Sequence, residues 1–154
     1  MKYHCPVFLL VEDDANDRFL MQRELAGTGA ELHCVRDGAE AVEYLKGEGE
    51  FANRENFPLP NLIVLDLKMP RMSGFDFLEW LRKSSDNCSS VPVVVMSSSD
   101  MPGDIHRAYK LGANGYMIKP IDVQEFKKRV HALGVLWTEH LRTPELTKSS
   151  PSES

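Results

Sequence analysis

The sequence lacks several features that would assign it to a specialised class of protein. Its three cysteines, Cys5, Cys34 and Cys88, are odd in number and form no CxxC pair, which argues against a disulfide framework or a cysteine-ligated zinc site. We expect three free, mostly buried thiols in a reducing compartment. No apolar run is long enough to cross a membrane, and the first residues do not form a signal peptide. We therefore expect a cytoplasmic protein without a membrane partner.

Positive charge is also scarce. The 154 residues carry a net charge of −5, whereas direct binding of nucleic acid favours a basic surface. We expect no direct nucleic-acid partner. The five histidines show no metal-binding or catalytic spacing. An apolar fraction of 42% and a charged fraction of 27% are ordinary for a globular chain of this length, which can bury its own core.

Four short apolar runs are present, and each leads into a reactive polar side chain. The runs and the residues that follow them are 7–11 before Glu12 and Asp13, 62–65 before Asp66, 93–96 before Ser97, and 116–118 before Lys119. Runs of this length, rich in Val, Ile and Leu and without alternation, are typical of parallel strands buried on both faces. Ligands bind outside the carboxyl ends of such strands. The sequence therefore predicts a functional site at this edge of a sheet.

Strand and helix patterns alternate along the chain. Strands are expected at 6–11, 31–35, 62–65, 92–97 and 115–119, and helices at 16–26, 39–46, 74–83, 101–111 and from 123 as far as 141. Five such units predict an α/β fold, a doubly wound five-stranded parallel sheet of flavodoxin-like order 2-1-3-4-5 with helices on both faces. We expect one domain over residues 1–141 and a disordered tail over residues 142–154.

This strand order brings the ends of strands 1 and 3 together, and with them Glu12, Asp13 and Asp66. Three crowded carboxylates repel one another unless a cation lies among them, and hard oxygen ligands suit Mg²⁺. A single acid at such a position could instead cap a helix, and we assign that role to Asp14. The grouping of the other acids, with Lys119 at a further strand end, favours a metal site.

Five short motifs follow one another along the chain in an order and at a spacing that resemble the receiver domain of two-component response regulators. The resemblance covers residues 6–140. The motifs are the acidic pair Glu12-Asp13, the segment from Asp66 to Pro70, Gly74 eight residues after Asp66, the hydroxyl residue Ser97, and the pair Lys119-Pro120. The resemblance implies a protein that accepts a phosphoryl group from a sensor histidine kinase or a phosphotransfer protein.

The resemblance also implies a role for each of these residues. Asp66 is the expected phosphoacceptor, which forms an aspartyl phosphate. Asp13 and Asp66 are expected to ligate Mg²⁺, or Mn²⁺ in its place, together with Glu12 through water and the backbone carbonyl of Lys68. Lys119 is expected to pair with Asp66 before the transfer and with a phosphoryl oxygen after it.

A hydroxyl and an aromatic ring are expected to form the switch. The resemblance implies that Ser97 moves to bind the phosphoryl group and that Tyr116 swings inward, a change that phosphoryl charge can bias. The alternative for Tyr116 is an ordinary half-buried strand aromatic. Ser98 and Ser99 are alternatives for the hydroxyl, and Ser97 is preferred because it directly follows the last apolar residue of the strand. Lys119-Pro120 is a candidate cis peptide, because only a bond before proline makes that form accessible.

Three other functions are weaker alternatives to the receiver. A Mg²⁺-dependent phosphohydrolase that also forms an aspartyl phosphate needs an acid two residues after its nucleophile, where Lys68 stands. An inert receiver-like interaction module would not need all five motifs. A nucleotide-binding module is disfavoured because the loop after strand 1 has no glycine-rich cradle. We expect a stand-alone regulator that catalyses its own phosphorylation and dephosphorylation, is otherwise no enzyme, and signals to a downstream protein target.

The last helix is apolar almost all round. Val123, Phe126, Val130 and Leu133 recur at helical spacing and can cover the sheet, while Ala132, Val135, Leu136 and Trp137 extend the apolar surface. This surface predicts an interface, and a symmetric dimer is its commonest form. In the family that the chain resembles, helix 4, strand 5 and helix 5 commonly form such contacts, so the resemblance implies a homodimer through these elements. Alternatively, the last turn packs on the domain's own edge. The connection over residues 47–61 and this helix end also resemble single-domain regulators of phytochrome-type kinases.

Overall fold

A computed structural model describes residues 5–85 and 87–140, and its framework is a parallel sheet of five strands. The strands are β1 Val7–Val11, β2 Glu31–Val35, β3 Leu62–Leu65, β4 Val93–Ser97 and β5 Gly115–Ile118. The helices are α1 Ala15–Ala26, α2 Gly38–Lys46, α3 Gly74–Lys83, α4 Pro102–Lys110 and α5 Val123–Val135, which a π-helical turn at Leu136–His140 continues. Short 3₁₀ turns lie at Gly49–Phe51 and Asn87–Ser90. The predicted helix 5 end at residue 141 and the tail over 142–154 lie outside the described residues.

The strand order is β2-β1-β3-β4-β5, and every pair is parallel. This order and the doubly wound architecture confirm the prediction from the apolar runs. Strands β1, β3 and β4 are buried throughout, but every residue of β5 is only partly buried. The expectation that this run is buried on both faces was wrong, because β5 is an edge strand with a neighbour on one side only.

Alternate residues of the sheet point to two separate cores. Leu9 and Val11 of β1 face the side covered by α2, α3 and α4. Phe8 and Leu10 face the side covered by α1 and α5. Burial of both faces explains why the central strands read as continuous apolar runs rather than alternating ones.

Four helices begin at a side chain that accepts a hydrogen bond from the third backbone N–H of the helix. The capping residues are Asp14 for α1, Asp37 for α2, Ser73 for α3 and Asp122 for α5. Such caps satisfy N–H groups that have no partner within the helix. The predicted capping role of Asp14 is confirmed.

The connection over residues 47–61 packs against α2. Phe51 is buried, and its ring lies 5.1 Å from that of Tyr44. The guanidinium of Arg54 donates hydrogen bonds to the carbonyl oxygens of Tyr44, Leu45 and Phe57 at 2.8, 2.7 and 3.2 Å. These contacts hold the segment on the helix end.

The end of α5 differs from the prediction in two respects. Phe126, Val130 and Leu133 are buried, but Val123 is 52% exposed because it lies at the first position of the helix, beyond the sheet. Trp137 packs on the α1/α5 core, so part of the surface assigned to a dimer is covered by the domain's own edge. Leu136 is 42% exposed.

Two smaller expectations were also wrong. The Lys119-Pro120 bond is trans, the isomer that X-Pro bonds favour by about 0.5–1 kcal/mol. The thiols are not mostly buried: Cys88 is buried, Cys34 is partly exposed and Cys5 is exposed because it precedes β1. Among the described helices, none combines the length and apolar character that a membrane span requires.

Candidate functional site

The carboxyl ends of β1 and β3 bring three acids together. Val11 pairs with Leu65, so the residues that follow them are neighbours, and the backbone N–H of Asp66 donates to the carbonyl of Val11 at 3.0 Å. One carboxylate oxygen from each of Glu12, Asp13 and Asp66 lies within 4.8 Å of the others. The predicted proximity of the three acids is confirmed, and their oxygens suit a small divalent cation.

Burial makes this cluster electrostatically costly. Glu12 and Asp66 are buried, whereas Asp13 is exposed. Burial, reinforced by the negative charge of Asp66, raises the pKa of Glu12 to about 7. Burial also raises the pKa of Asp66, although the ammonium of Lys119 opposes the change. A nearby positive charge therefore stabilises the ionised form of both carboxylates.

Lys119 supplies one such charge from the end of β5. Its Nζ lies 2.6 Å from a Glu12 oxygen, 2.9 Å from an Asp17 oxygen and 3.8 Å from an Asp66 oxygen. Burial alone would lower the pKa of Lys119, but the carboxylates of Asp66 and Glu12 raise it to about 12. The predicted pairing with Asp66 is present, yet the two other carboxylates are closer. Asp17 is a site residue that the sequence did not indicate.

The Asp66 side chain is fixed by the loop that it begins. Its Oδ1 accepts a hydrogen bond from the backbone N–H of Leu67 at 2.8 Å. Gly74, at the start of α3, donates to the carbonyl of Leu67 at 3.0 Å. A Cβ at Gly74 would collide with the carbonyl oxygen of Asp66 and lie 2.7 Å from Cα of Leu67. This close approach explains why the motif has glycine here. Lys68, on the same loop, has an exposed side chain.

An ion pair ties the far side of this loop to α2. Arg71 has a left-handed backbone with φ of 64°, and its Nε donates to Oδ2 of Asp37 at 2.7 Å. The backbone N–H of Gly38 donates to the carbonyl of Met72 at 3.2 Å. Neither contact was expected, because no sequence pattern relates residue 37 to residue 71.

The hydroxyl and the aromatic ring lie on neighbouring strands. Ser97 is completely buried, and its Oγ accepts a hydrogen bond from the backbone N–H of Ser99 at 3.2 Å. The hydroxyl of Tyr116, which is partly buried, donates to the carbonyl of Ser99 at 2.8 Å. Ser99 in turn donates from its hydroxyl to Asp104 at 2.6 Å. Tyr116 is thus bonded to the loop that begins at Ser97.

The arrangement matches one family of proteins. Residues 8–131 match the family described as the response regulator receiver domain. The chain belongs to this family. The five motifs that carried the resemblance are the acidic pair Glu12-Asp13, the segment that begins at Asp66, Gly74, Ser97 and Lys119-Pro120.

Two relatives are similar over nearly their whole length. The response regulator Rcp1 of the cyanobacterium Synechocystis is 35% identical over 140 residues, which cover 90% of this chain and 92% of Rcp1. A crystal structure of Rcp1 in its Mn²⁺-bound form superposes with a TM-score of 0.83 at 34% identity, covering 91% of this chain and 99% of the other. The phosphorylated cyanobacterial phytochrome response regulator RcpA superposes with a TM-score of 0.85 at 33% identity, covering 92% and 100%.

Proposed function

We propose that Asp66 is the phosphoacceptor of this response regulator. The observation that carries the proposal is the buried carboxylate of Asp66 beside Glu12 and Asp13, with the ammonium of Lys119 at 3.8 Å. A carboxylate oxygen of Asp66 attacks the phosphorus of a phosphohistidine. The P–N bond breaks, its electron pair passes to the imidazole, and an aspartyl phosphate forms. Hydrolysis by water returns the carboxylate and inorganic phosphate.

We propose Mg²⁺ as the ion of the acid cluster, with Mn²⁺ as a substitute. Asp13 and Asp66 would ligate it directly, Glu12 through water, and Lys68 through its backbone carbonyl. The cation would neutralise charge on the transferring group. The mutual distances of the three acids and the burial of two of them support this assignment, and Rcp1 has been crystallised with Mn²⁺.

We propose that Lys119, Ser97 and Tyr116 respond to the phosphoryl group. Lys119 would pair with a phosphoryl oxygen, and the hydroxyl of Ser97 would donate to another. Movement of Ser97 would disturb the loop at Ser99, to which Tyr116 is bonded. Tyr116 would then lose its acceptor and turn inward, so that charge at Asp66 alters the surface at β5.

We propose that the phosphoryl donor docks beside Lys119. Ile121, two residues further on, is fully exposed, and Val123 is 52% exposed. Exposed aliphatic side chains next to a reacting group suit a protein donor, either a sensor histidine kinase or a phosphotransfer protein. The likeness to RcpA, a phytochrome response regulator, supports a phytochrome-type kinase as the source.

We propose that the output is contact with a downstream protein target, with a homodimer through α4, β5 and α5 as one form of contact. Exposed apolar side chains at these elements include Tyr109 of α4, Met101 directly before α4 and Leu136 directly after α5. We further propose that the receiver domain over residues 1–141 works in the cytoplasm. The family match over residues 8–131 and the 92% of Rcp1 that this chain covers support a single domain.

Labelling with acetyl phosphate in the presence of Mg²⁺ tests the function. Wild type should gain one phosphoryl group that hydroxylamine removes, and Asp66→Asn should gain none, because the amide is not a nucleophile. Asp76→Asn, at an exposed aspartate on α3, should label like wild type. A hydroxylamine-sensitive group on Asp66→Asn would refute the assignment.

A further inference from the structure

The contact between Asp17 and Lys119 is not part of the proposed metal site. Asp17 lies in the first turn of α1, and its Oδ2 is 2.9 Å from Nζ of Lys119. The three acids whose oxygens converge are Glu12, Asp13 and Asp66, and Asp17 is not among them. Its carboxylate therefore serves the lysine rather than the cation.

The first turn of α1 holds Asp17 firmly. The backbone N–H of Asp17 donates to the side chain of Asp14 at 2.9 Å. The guanidinium of Arg18 donates to the backbone carbonyl of Glu12 at 2.9 Å, which ties the turn to the end of β1. Asp17 thus contacts Lys119 from a helical turn that is fixed by the cap at Asp14 and by the bond from Arg18 to Glu12.

The ammonium of Lys119 has three N–H groups and three carboxylate neighbours at unequal distances. Charge-assisted N–H···O bonds are about 2.7–2.9 Å long, and the distances to Glu12 and Asp17 fall at or below this length. The 3.8 Å to Asp66 exceeds it. The lysine is thereby held beside the nucleophile without being bonded closely to it, and the N–H group that neither Glu12 nor Asp17 accepts can face a phosphoryl oxygen on Asp66.

We propose that Asp17 is a positioning residue for phosphoryl transfer. It holds the Lys119 ammonium where it faces a phosphoryl oxygen on Asp66 and keeps it from closing onto the carboxylate. A lysine bonded directly to Asp66 would withdraw electron density from the attacking oxygen. This inference rests on the proposed role of Asp66 as the phosphoacceptor.

The test compares rates of labelling by acetyl phosphate at saturating Mg²⁺. Asp17→Asn should label more slowly than wild type by about 10-fold, the scale on which groups that orient site residues act. Glu24→Gln is the matched control, because it removes one negative charge from the same helix, where Glu24 lies 3.9 Å from Lys127. It should label at the wild-type rate. When the Mg²⁺ concentration is varied instead, the concentration that gives half the maximal labelling rate should be the same for wild type, Asp17→Asn and Glu24→Gln.

A double-mutant cycle separates positioning from a general structural effect. In a Lys119→Ala background, the substitution Asp17→Asn should change the rate no further, because Asp17 acts through the lysine. If Lys119→Ala labels too slowly to follow, the same cycle is measured on beryllofluoride affinity from the shift in melting temperature.

The outcomes distinguish this inference from the function on which it rests. A normal rate for Asp17→Asn, or an equal loss with and without Lys119, would overturn the positioning role while leaving Asp66 as the acceptor. A wild type that takes no label, or label that persists in Asp66→Asn, would contradict the proposed function itself.

Discussion

At the scale of single residues, the site combines two buried carboxylates with the ammonium of Lys119, whose side chain is 9% exposed. Burial raises the pKa of both Glu12 and Asp66, so their charged forms are destabilised relative to an exposed acid. Lys119 compensates in part, and its pKa of about 12 keeps it charged near neutral pH. A further cation near the exposed carboxylate of Asp13 would reduce the remaining repulsion.

This charge distribution predicts that Mg²⁺ stabilises the folded protein. An ion that binds only the native state raises the free energy of unfolding by about 2.7 kcal/mol when its concentration is one hundred times its dissociation constant. Asp13→Ala should lose most of the increase in melting temperature, whereas Asp76→Ala, on the outer face of α3, should keep it. A full Mg²⁺-dependent shift in Asp13→Ala would exclude Asp13 as a ligand.

The place of some site residues could be predicted from the sequence, and the place of others could not. The proximity of Glu12, Asp13 and Asp66 follows from their positions after apolar runs, because parallel strands end at one edge. The cap at Asp14 follows from a local rule. Asp17 accepts a hydrogen bond from Lys119, which lies 102 residues away in the sequence. This contact depends on how α1 packs on the sheet. No local pattern contains this information.

At the scale of elements, the loop from β3 to α3 is held at both ends. Gly74 packs against the backbone of Asp66 and Leu67, and Arg71 is paired with Asp37 at the start of α2. Arg71 is the one non-glycine residue with positive φ among the described residues. The ion pair thus holds a backbone conformation that glycine would adopt without strain.

The left-handed backbone predicts an unusual order of stability at residue 71. Both Arg71→Gly and Arg71→Ala lose the pair with Asp37, but only alanine keeps the backbone strain, which is about 1 kcal/mol. Arg71→Gly should therefore unfold at a higher urea concentration than Arg71→Ala. At Lys68 on the same loop, where φ is not positive, alanine should be the more stable substitution. The same order at both positions would contradict the account.

The elements themselves were largely predictable, and the irregular segments were not. Buried runs of Val, Ile and Leu mark β1, β3 and β4 because both faces of the sheet are covered. The order of the strands was matched to the flavodoxin-like doubly wound pattern, which right-handed crossovers permit but do not determine. The left-handed turn at Arg71 and the packing of Phe51 on Tyr44 arise from tertiary contacts. Such contacts leave no periodic signal in the chain.

At the scale of the whole molecule, the two cores and the apolar surface are distinct. Phe126, Val130 and Leu133 complete the α1/α5 core, and Trp137 closes its end. Within the described residues, the indole Nε1 of Trp137 is buried without a hydrogen-bond partner. Leu136 faces outward instead. Hydrophobicity alone could not separate these neighbours, because the π-helical turn at Leu136–His140 changes the angle between successive side chains.

Because Leu136 is exposed and Trp137 packs on the core, substitutions at these adjacent positions should have different effects. If α4, β5 and α5 form a dimer, Leu136→Glu should weaken it without altering the melting temperature of the monomer, because the side chain is exposed in one protomer. Trp137→Glu should lower the melting temperature, since it removes the indole from the α1/α5 core and places a charge against that core. Sedimentation of each protein at matched concentration, with and without beryllofluoride, measures the association. A wild type that stays monomeric in both conditions would exclude the dimer.

The most direct test of the central claim is chemical location of the phosphoryl group. Reduction of the phosphorylated protein with borohydride converts an aspartyl phosphate to homoserine, which tandem mass spectrometry can assign to a single position. The account predicts homoserine at residue 66 in a Mg²⁺-dependent reaction, with residues 13 and 17 unchanged. Homoserine at either of those positions, or none after stoichiometric labelling, would contradict it.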